Sequence, residues 1–138
     1  MKVKVEYKAQ ITEPDGGIQT QSGKAYGLLD FLEDELLLIY SEGAAEQNTK
    51  LSITGGSVTL TSTTEGFERT MRFVPGQKIH CCYATPHGSI GLHISTRSIV
   101  NTLKPGIGGL LALSYSLDFG EYTTQNLMQI KLTPWEGK

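Results

Sequence analysis

The chain is 138 residues long, enough for one ordinary domain and too short for two. Apolar residues make up 38% of it and charged residues 19%, a balance that places it with globular rather than disordered proteins. Its 12 basic and 14 acidic residues give a formal charge of −2 and leave no excess to neutralise phosphates, which argues against a nucleic-acid binder.

Period-two alternation is the dominant signal. Val3, Val5, Tyr7, Ala9 and Ile11 share one face of an extended stretch, and Lys2, Lys4, Glu6, Lys8 and Gln10 share the other. The same segment lacks the apolar centre of a signal peptide, and no apolar run approaches the ~20 residues that cross a membrane as a helix. Pro14-Asp15-Gly16-Gly17 ends the strand, since proline presets one turn position and glycine supplies positive φ. A second extended stretch starts at Ile18. From Leu28 to Tyr40 the leucine spacing also suits an amphipathic helix, and leucine is a strong helix former. On the residues alone, a helical turn and two strands meeting at Glu33-Asp34 both stay open.

Leu51 and Ile53 lead into Gly55-Gly56, a two-residue hairpin signal, with Val58 and Leu60 beyond it. Glu65-Gly66 turns the chain into a strand carrying Arg69, Met71 and Phe73, and Pro75-Gly76 suits the centre of a type II turn. Ile79, Cys81 and Tyr83 alternate, Thr85-Pro86-His87-Gly88 turns, and Ile90, Leu92 and Ile94 continue the dry face towards Ile99. After the glycine-rich loop at Pro105–Gly109, Leu111, Leu113, Tyr115, Leu117 and Phe119 form the longest dry stripe. Asn126, Met128, Ile130 and Leu132 share one face of the last strand.

These signals predict an all-β single domain over residues 1–138, a closed antiparallel meander barrel of about 8–10 strands. Closure is the simplest way for so long a sheet to avoid exposed edges. A sandwich is the structural alternative. Cys81 and Cys82, adjacent on one strand, point to opposite faces, so free thiols in a reducing compartment, and hence a cytoplasmic location, are expected.

Several phrases, in order, resemble the YwiB-like family of small uncharacterised bacterial proteins. They are Tyr40-Ser41-Glu42, Thr49-Lys50-Leu51-Ser52-Ile53 before Gly55-Gly56, and Met71-Arg72-Phe73 with Gly76. Tyr83-Ala84-Thr85-Pro86-His87-Gly88, the most specific, is followed by Ile94-Ser95-Thr96, Gly108-Gly109 with Tyr115, and Asn126-Leu127-Met128. The resemblance implies a calycin-like barrel, related in shape to lipocalins, and strand-turn-strand from Leu28 to Tyr40. It implies no catalytic residues.

His80, His87 and His93 are the natural acid-base or metal candidates, and His80 and Cys82 share a strand face. By alternation His80 and His93 point outward, and His87 sits at a turn tip. Three outward histidines on separate elements make a poor metal site, so no metal or cofactor is expected. A Cys-His pair lacks the signature of an oxyanion hole. Asp30, Glu33, Asp34 and Glu35 cluster at a turn, where carboxylates are ordinarily solvated.

Polar residues on the dry faces say more. Arg69 aligns with Met71 and Phe73, Asn126 with Met128 and Ile130, and Tyr83 and Tyr115 with aliphatic neighbours. A buried arginine is costly unless paired, so Arg69 reaches a barrel mouth, meets a carboxylate or receives an anionic ligand. The leading reading is a non-enzymatic barrel that binds a small, partly apolar molecule, with Arg69, Tyr83, Tyr115 and Asn126 as ligand-binding residues. The second is a protein-interaction or homo-oligomeric module, such as a homodimer, with a filled barrel. An enzyme using His80 or His93 ranks last.

Overall fold

The computed structural model describes residues 1–42, 47–64 and 66–135, with the side chains of 42, 47 and 83–85 also outside the description. Ten strands follow one another as an antiparallel meander: β1 (Lys2–Thr12), β2 (Ile18–Phe31), β3 (Leu36–Glu42), β4 (Gln47–Thr54), β5 (Ser57–Thr64), β6 (Phe67–Phe73), β7 (Lys78–Thr85), β8 (Gly88–Asn101), β9 (Gly109–Asp118) and β10 (Thr123–Pro134). β1 pairs with both β2 and β10, and the sheet closes into a barrel. Closure gives every strand two neighbours and removes free edges.

The helix-or-strand ambiguity at Leu28–Tyr40 resolves as two strands. Leu29 and Leu38 are buried, while their neighbours Leu28 and Ile39 point outward. A period of two therefore organises these leucines, because each strand has one face towards a shared interior. Turn chemistry follows the sequence closely. Thr54 pairs with Ser57 across Gly55-Gly56, and both glycines have positive φ. At Pro75-Gly76 the φ of Gly76 is 79° and Gln77 N donates to Val74 O at 3.0 Å, closing the predicted type II turn. Glu65, assigned to the turn before β6, lies outside the described residues.

One strand breaks its own alternation. On β8 the buried Leu92, Ile94 and Thr96 fall on even positions, yet Ile99 also packs against the core. A register shift between Thr96 and Ser98 inserts the extra residue that returns Ile99 to the inside. The same strand carries a correction. Ile90, aligned in sequence with the dry face, is 46% exposed, because β8 begins beyond the packed part of the barrel.

The loosest seam lies between β6 and β7, joined by the single register pair Arg69–Tyr83. There the thiol of Cys81 lies 2.7 Å from the carbonyl oxygen of Thr70, a side-chain contact across the seam. Gly76 N donates to Thr96 O, tying the β6–β7 turn to β8.

Across β2 to β6 the interior is built in rows. Phe31, Leu36, Ile53, Val58 and Phe73 stand opposite one another in register, and Leu29, Leu38, Leu51, Leu60 and Met71 form the next row. Val3, Val5, Ile94, Leu111, Leu113 and Leu132 are buried in the same core, with Val3 opposite Gly27. One step further along the strands, about 7 Å, the chemistry changes.

Candidate functional site

The third row reads Gly27, Tyr40, Thr49, Ser62, Arg69 and Tyr83, each opposite the next across β2 to β7. Apolar side chains give way here to hydroxyls and a guanidinium on the same inner face. Tyr40 and Thr49 are buried, and Ser62 and Arg69 are half-buried.

Two glycines of β2 shape this end of the barrel. Gly27 stands opposite Tyr40 and Gly23 opposite Tyr7. A Cβ on Gly23 would lie 2.2 Å from the Tyr7 hydroxyl oxygen and 2.4 Å from Cζ, so the phenol ring lies directly on the glycine. A Cβ on Gly27 would lie 2.4 Å from the carbonyl oxygen of Ile39 and 2.7 Å from Tyr40 Cβ. Each tyrosine thus covers the strand where its partner has no side chain, an arrangement that restores packing at a strand glycine.

The enclosed space is a cavity of about 210 Å³ lined by Tyr7, Ala9, Gln21, Tyr40, Thr49, Leu60, Ser62, Met128 and Ile130. Its polar groups are four hydroxyls and one amide. Ala9, Leu60, Met128 and Ile130 supply the apolar surface. Arg69 adjoins through Ser62 and brings a positive charge to the same row. Tyr7, Tyr40, Ser62 and Arg69 each have a partner within the protein, so a ligand here extends or replaces existing contacts. A larger depression of about 700 Å³ lies at the opposite end, where Leu32–Leu36 and Gly55-Gly56 line an open groove beside Ile99 and Asn101. It contains the acidic turn, where the Ser52 hydroxyl donates to Glu35 Oε2. The groove lies at the other mouth of the barrel, where the inward-facing Leu36, Ile53 and Ile99 also line it, and it is the more open of the two. Enclosure is what a small-molecule site requires, so the smaller cavity is the candidate.

The four residues singled out from sequence fall into two cross-strand pairs. Arg69 faces inward opposite Tyr83, whose side chain lies outside the described residues. Tyr115 and Asn126 stand opposite each other and are both buried. Tyr115 packs edge-on against Phe73 with ring centres 4.7 Å apart. The Asn126 amide donates to the backbone oxygen and the hydroxyl of Thr124, at 3.2 and 3.0 Å. Those bonds are local and hold β10. The described walls of the cavity are Tyr7, Tyr40, Thr49, Ser62 and Gln21 on the polar side instead. Part of their signal was present in the turns: folding the sequence about Gly55-Gly56 and Glu65-Gly66 aligns Thr49, Ser62 and Arg69, and folding it about Glu33-Asp34 sets Gly27 opposite Tyr40.

Outside the barrel, His80 and His93 stand opposite each other on β7 and β8, with ring centres 5.0 Å apart. Sequence placed them on separate elements, and the hairpin brings them together. His87 occupies the intervening turn. Among the described residues no three metal-ligating side chains converge. Cys81 is buried and Cys82 exposed, both free. Burial, and then the neighbouring Cys82, push the Cys81 thiol up. Asp118, opposite His93, has its carboxyl lowered chiefly by the backbone N–H of Gly120, 2.8 Å from Oδ1.

A family model described as a domain of unknown function, DUF1934, matches residues 3–131. The chain belongs to this family. Among solved structures, the ywiB protein from Bacillus subtilis is similar, with a TM-score of 0.84 at 20% identity, covering 98% of this chain and 92% of that one. At that identity the likeness shows the fold, and it agrees with the YwiB-like resemblance read from the sequence. No curated protein matches the chain.

Proposed function

We propose that this DUF1934 protein is a binding barrel that takes a small, partly apolar molecule into the polar half of its interior and performs no chemistry on it. The observation that carries this reading is the 210 Å³ cavity with hydroxyls on one side and Leu60, Met128 and Ile130 on the other. Ligand pockets usually span about 300–1,000 Å³, and a cavity of about 150 Å³ holds a benzene. The ligand is therefore one ring or a short chain, much smaller than a fatty acid. An anionic group on it would meet Arg69 at the end of the Ser62 row. The acid-base candidates His80 and His93 sit on the outer face, away from the cavity walls, which supports binding over catalysis. The two free thiols fit a reducing, cytoplasmic setting.

The test begins with native mass spectrometry of protein purified from its own host, which should find a retained small molecule. Melting-temperature shifts are then compared for the native protein and Arg69→Met, using paired small ligands with and without a carboxylate. The expected result is a carboxylate-dependent shift that Arg69→Met removes, with the uncharged ligand unaffected. Equal shifts in both proteins would take Arg69 out of the site. No shift with any ligand would leave the barrel as a filled scaffold.

One observation favours a second reading, self-association. On the outer face Leu28 and Ile39 pair directly and are 51% and 46% exposed, and Tyr26 packs against Trp135 with ring centres 4.4 Å apart and planes tilted by 39°. A two-fold axis through Gly27 would set Lys24 of one copy against Asp30 of the other, making the patch self-complementary in charge. Sedimentation of the native protein and Leu28→Glu decides this: a dimer that the substitution turns into monomer supports it, and a monomer in both cases ends it.

A further inference from the structure

Cross-strand histidines are a known way for a sheet to hold a cation, because opposed residues on one face of an antiparallel pair bring their side chains within reach. On the outer face of β7–β8, His80 and His93 form such a pair. We propose that they form a surface site for one divalent late first-row transition cation, Zn²⁺ or the tighter-binding Cu²⁺.

The spacing of the rings carries the inference. An ion bound tetrahedrally at about 2.0–2.1 Å from one nitrogen of each imidazole sets the two ring centres about 5 Å apart. His80 and His93 stand at 5.0 Å, with ring planes at 66°. Rotation of one ring about its own side-chain bonds is what aims a nitrogen of each at a shared ion. Gly91 contributes the space. It lies beside His93 in the sequence direction of the hairpin, and a Cβ there would sit 3.5 Å from His80 Nε2. The His80 ring therefore leans over a position with no side chain.

The surroundings determine what completes the site. Cys82 projects from the same face two residues beyond His80, opposite Gly91, and is exposed. Asp118 stands opposite His93 and places a carboxylate beside the pair. Lys78 and Arg72 are the cationic groups on this face of the neighbouring positions, and Lys78 Nζ lies 3.7 Å from Asp118 Oδ2. No third ligand converges among the described residues, so water or an external donor fills the remaining positions. The site is thus open, as a site that exchanges its metal or presents it to another ligand would be, and unlike a closed structural one.

Binding requires neutral imidazoles, so protons compete with the ion. The experiment uses untagged protein at pH 7.5 and Zn²⁺ alone, followed by histidine ring resonances and by isothermal titration. One equivalent should shift the His80 and His93 resonances and leave His87 in place, with binding lost at pH 5.5. His80→Gln and His93→Gln should each weaken affinity at least tenfold while leaving the far-ultraviolet spectrum unchanged. Cys82→Ser should keep most of the affinity. If Zn²⁺ leaves both rings unmoved, or if Cys82→Ser abolishes binding while His80→Gln retains it, the two-histidine site is wrong. The outcome is independent of whether the interior cavity binds anything.

Discussion

The two halves of the barrel interior are built from the same strands and differ in what one step along those strands carries. In the row Leu29, Leu38, Leu51, Leu60 and Met71 every inward side chain is apolar. In the next row the same strands present Gly27, Tyr40, Thr49, Ser62 and Arg69. The apolar rows fill themselves: Leu51, Val58 and Phe73 are fully buried. The other half leaves a cavity between the hydroxyls of Tyr7, Tyr40, Thr49 and Ser62 and the apolar Leu60, Met128 and Ile130. Close packing supplies stability where the side chains interlock, and room for a ligand arises where they are polar, short or absent. Close packing and open space are thus separated by position along the strands, and substitutions in the two halves should have different effects.

The largest effect is expected at Phe73, fully buried and in contact with Tyr115. Phe73→Ala should destabilise by about 3–5 kcal/mol through lost burial and the void left behind. Denaturant unfolding measures it, and a loss below 1 kcal/mol would mean that the dry half is loosely packed. Gly27→Ala comes next, at about 1–3 kcal/mol, because the new methyl meets the backbone carbonyl of Ile39, which cannot swing away. Gly23→Ala meets only the end of the Tyr7 ring, so its stability loss should be smaller. It should instead alter ligand response, since Tyr7 must leave the wall. Equal losses at the two glycines would contradict the view that one supports the sheet and the other the cavity.

Thr96 sharpens the comparison from the other side. It is buried beside the apolar rows, and its hydroxyl has no hydrogen-bond partner among the described residues. Thr96→Val keeps the shape and removes that unpaired hydroxyl, so a gain of about 1 kcal/mol is expected. A loss would reveal a bound water or a ligand atom at that hydroxyl.

The smallest effect concerns the thiols. Cys82 should react with iodoacetamide promptly and Cys81 only slowly, since Cys81 is buried and its thiol is pushed up. A raised thiol pKa in the folded state supports folding below the unfolded value, and that support is lost as pH rises through the folded one. Stability should therefore decline on the alkaline side, and the decline should be shallower in Cys81→Ala. Equal alkylation rates for both thiols would show that the β6–β7 seam opens readily.

Much of this was legible in the residues, because a strand with one dry face must alternate and a tight turn must use glycine or proline. Val3, Val5, Leu51, Val58, Leu111, Leu113 and Ile130 announced the interior, and Gly55-Gly56 and Pro75-Gly76 announced their hairpins. Alternation alone gives the face of Tyr115 and Asn126, whereas the row of Thr49, Ser62 and Arg69 emerges only when the chain is folded about its turns. The same folding about Pro86-His87 would have set His80 against His93.

By itself, the sequence determined the fold class, the inward face of most strands and the positions of the hairpins, since these depend on neighbours one to four residues apart. Tertiary structure alone decided three things. It closed β1 onto β10, brought Met128 and Ile130 across from Tyr40 and Ser62, and placed the bulge that returns Ile99 to the core. Each depends on contacts between distant strands, whose stagger around a closed barrel is set by the packing of the whole interior at once.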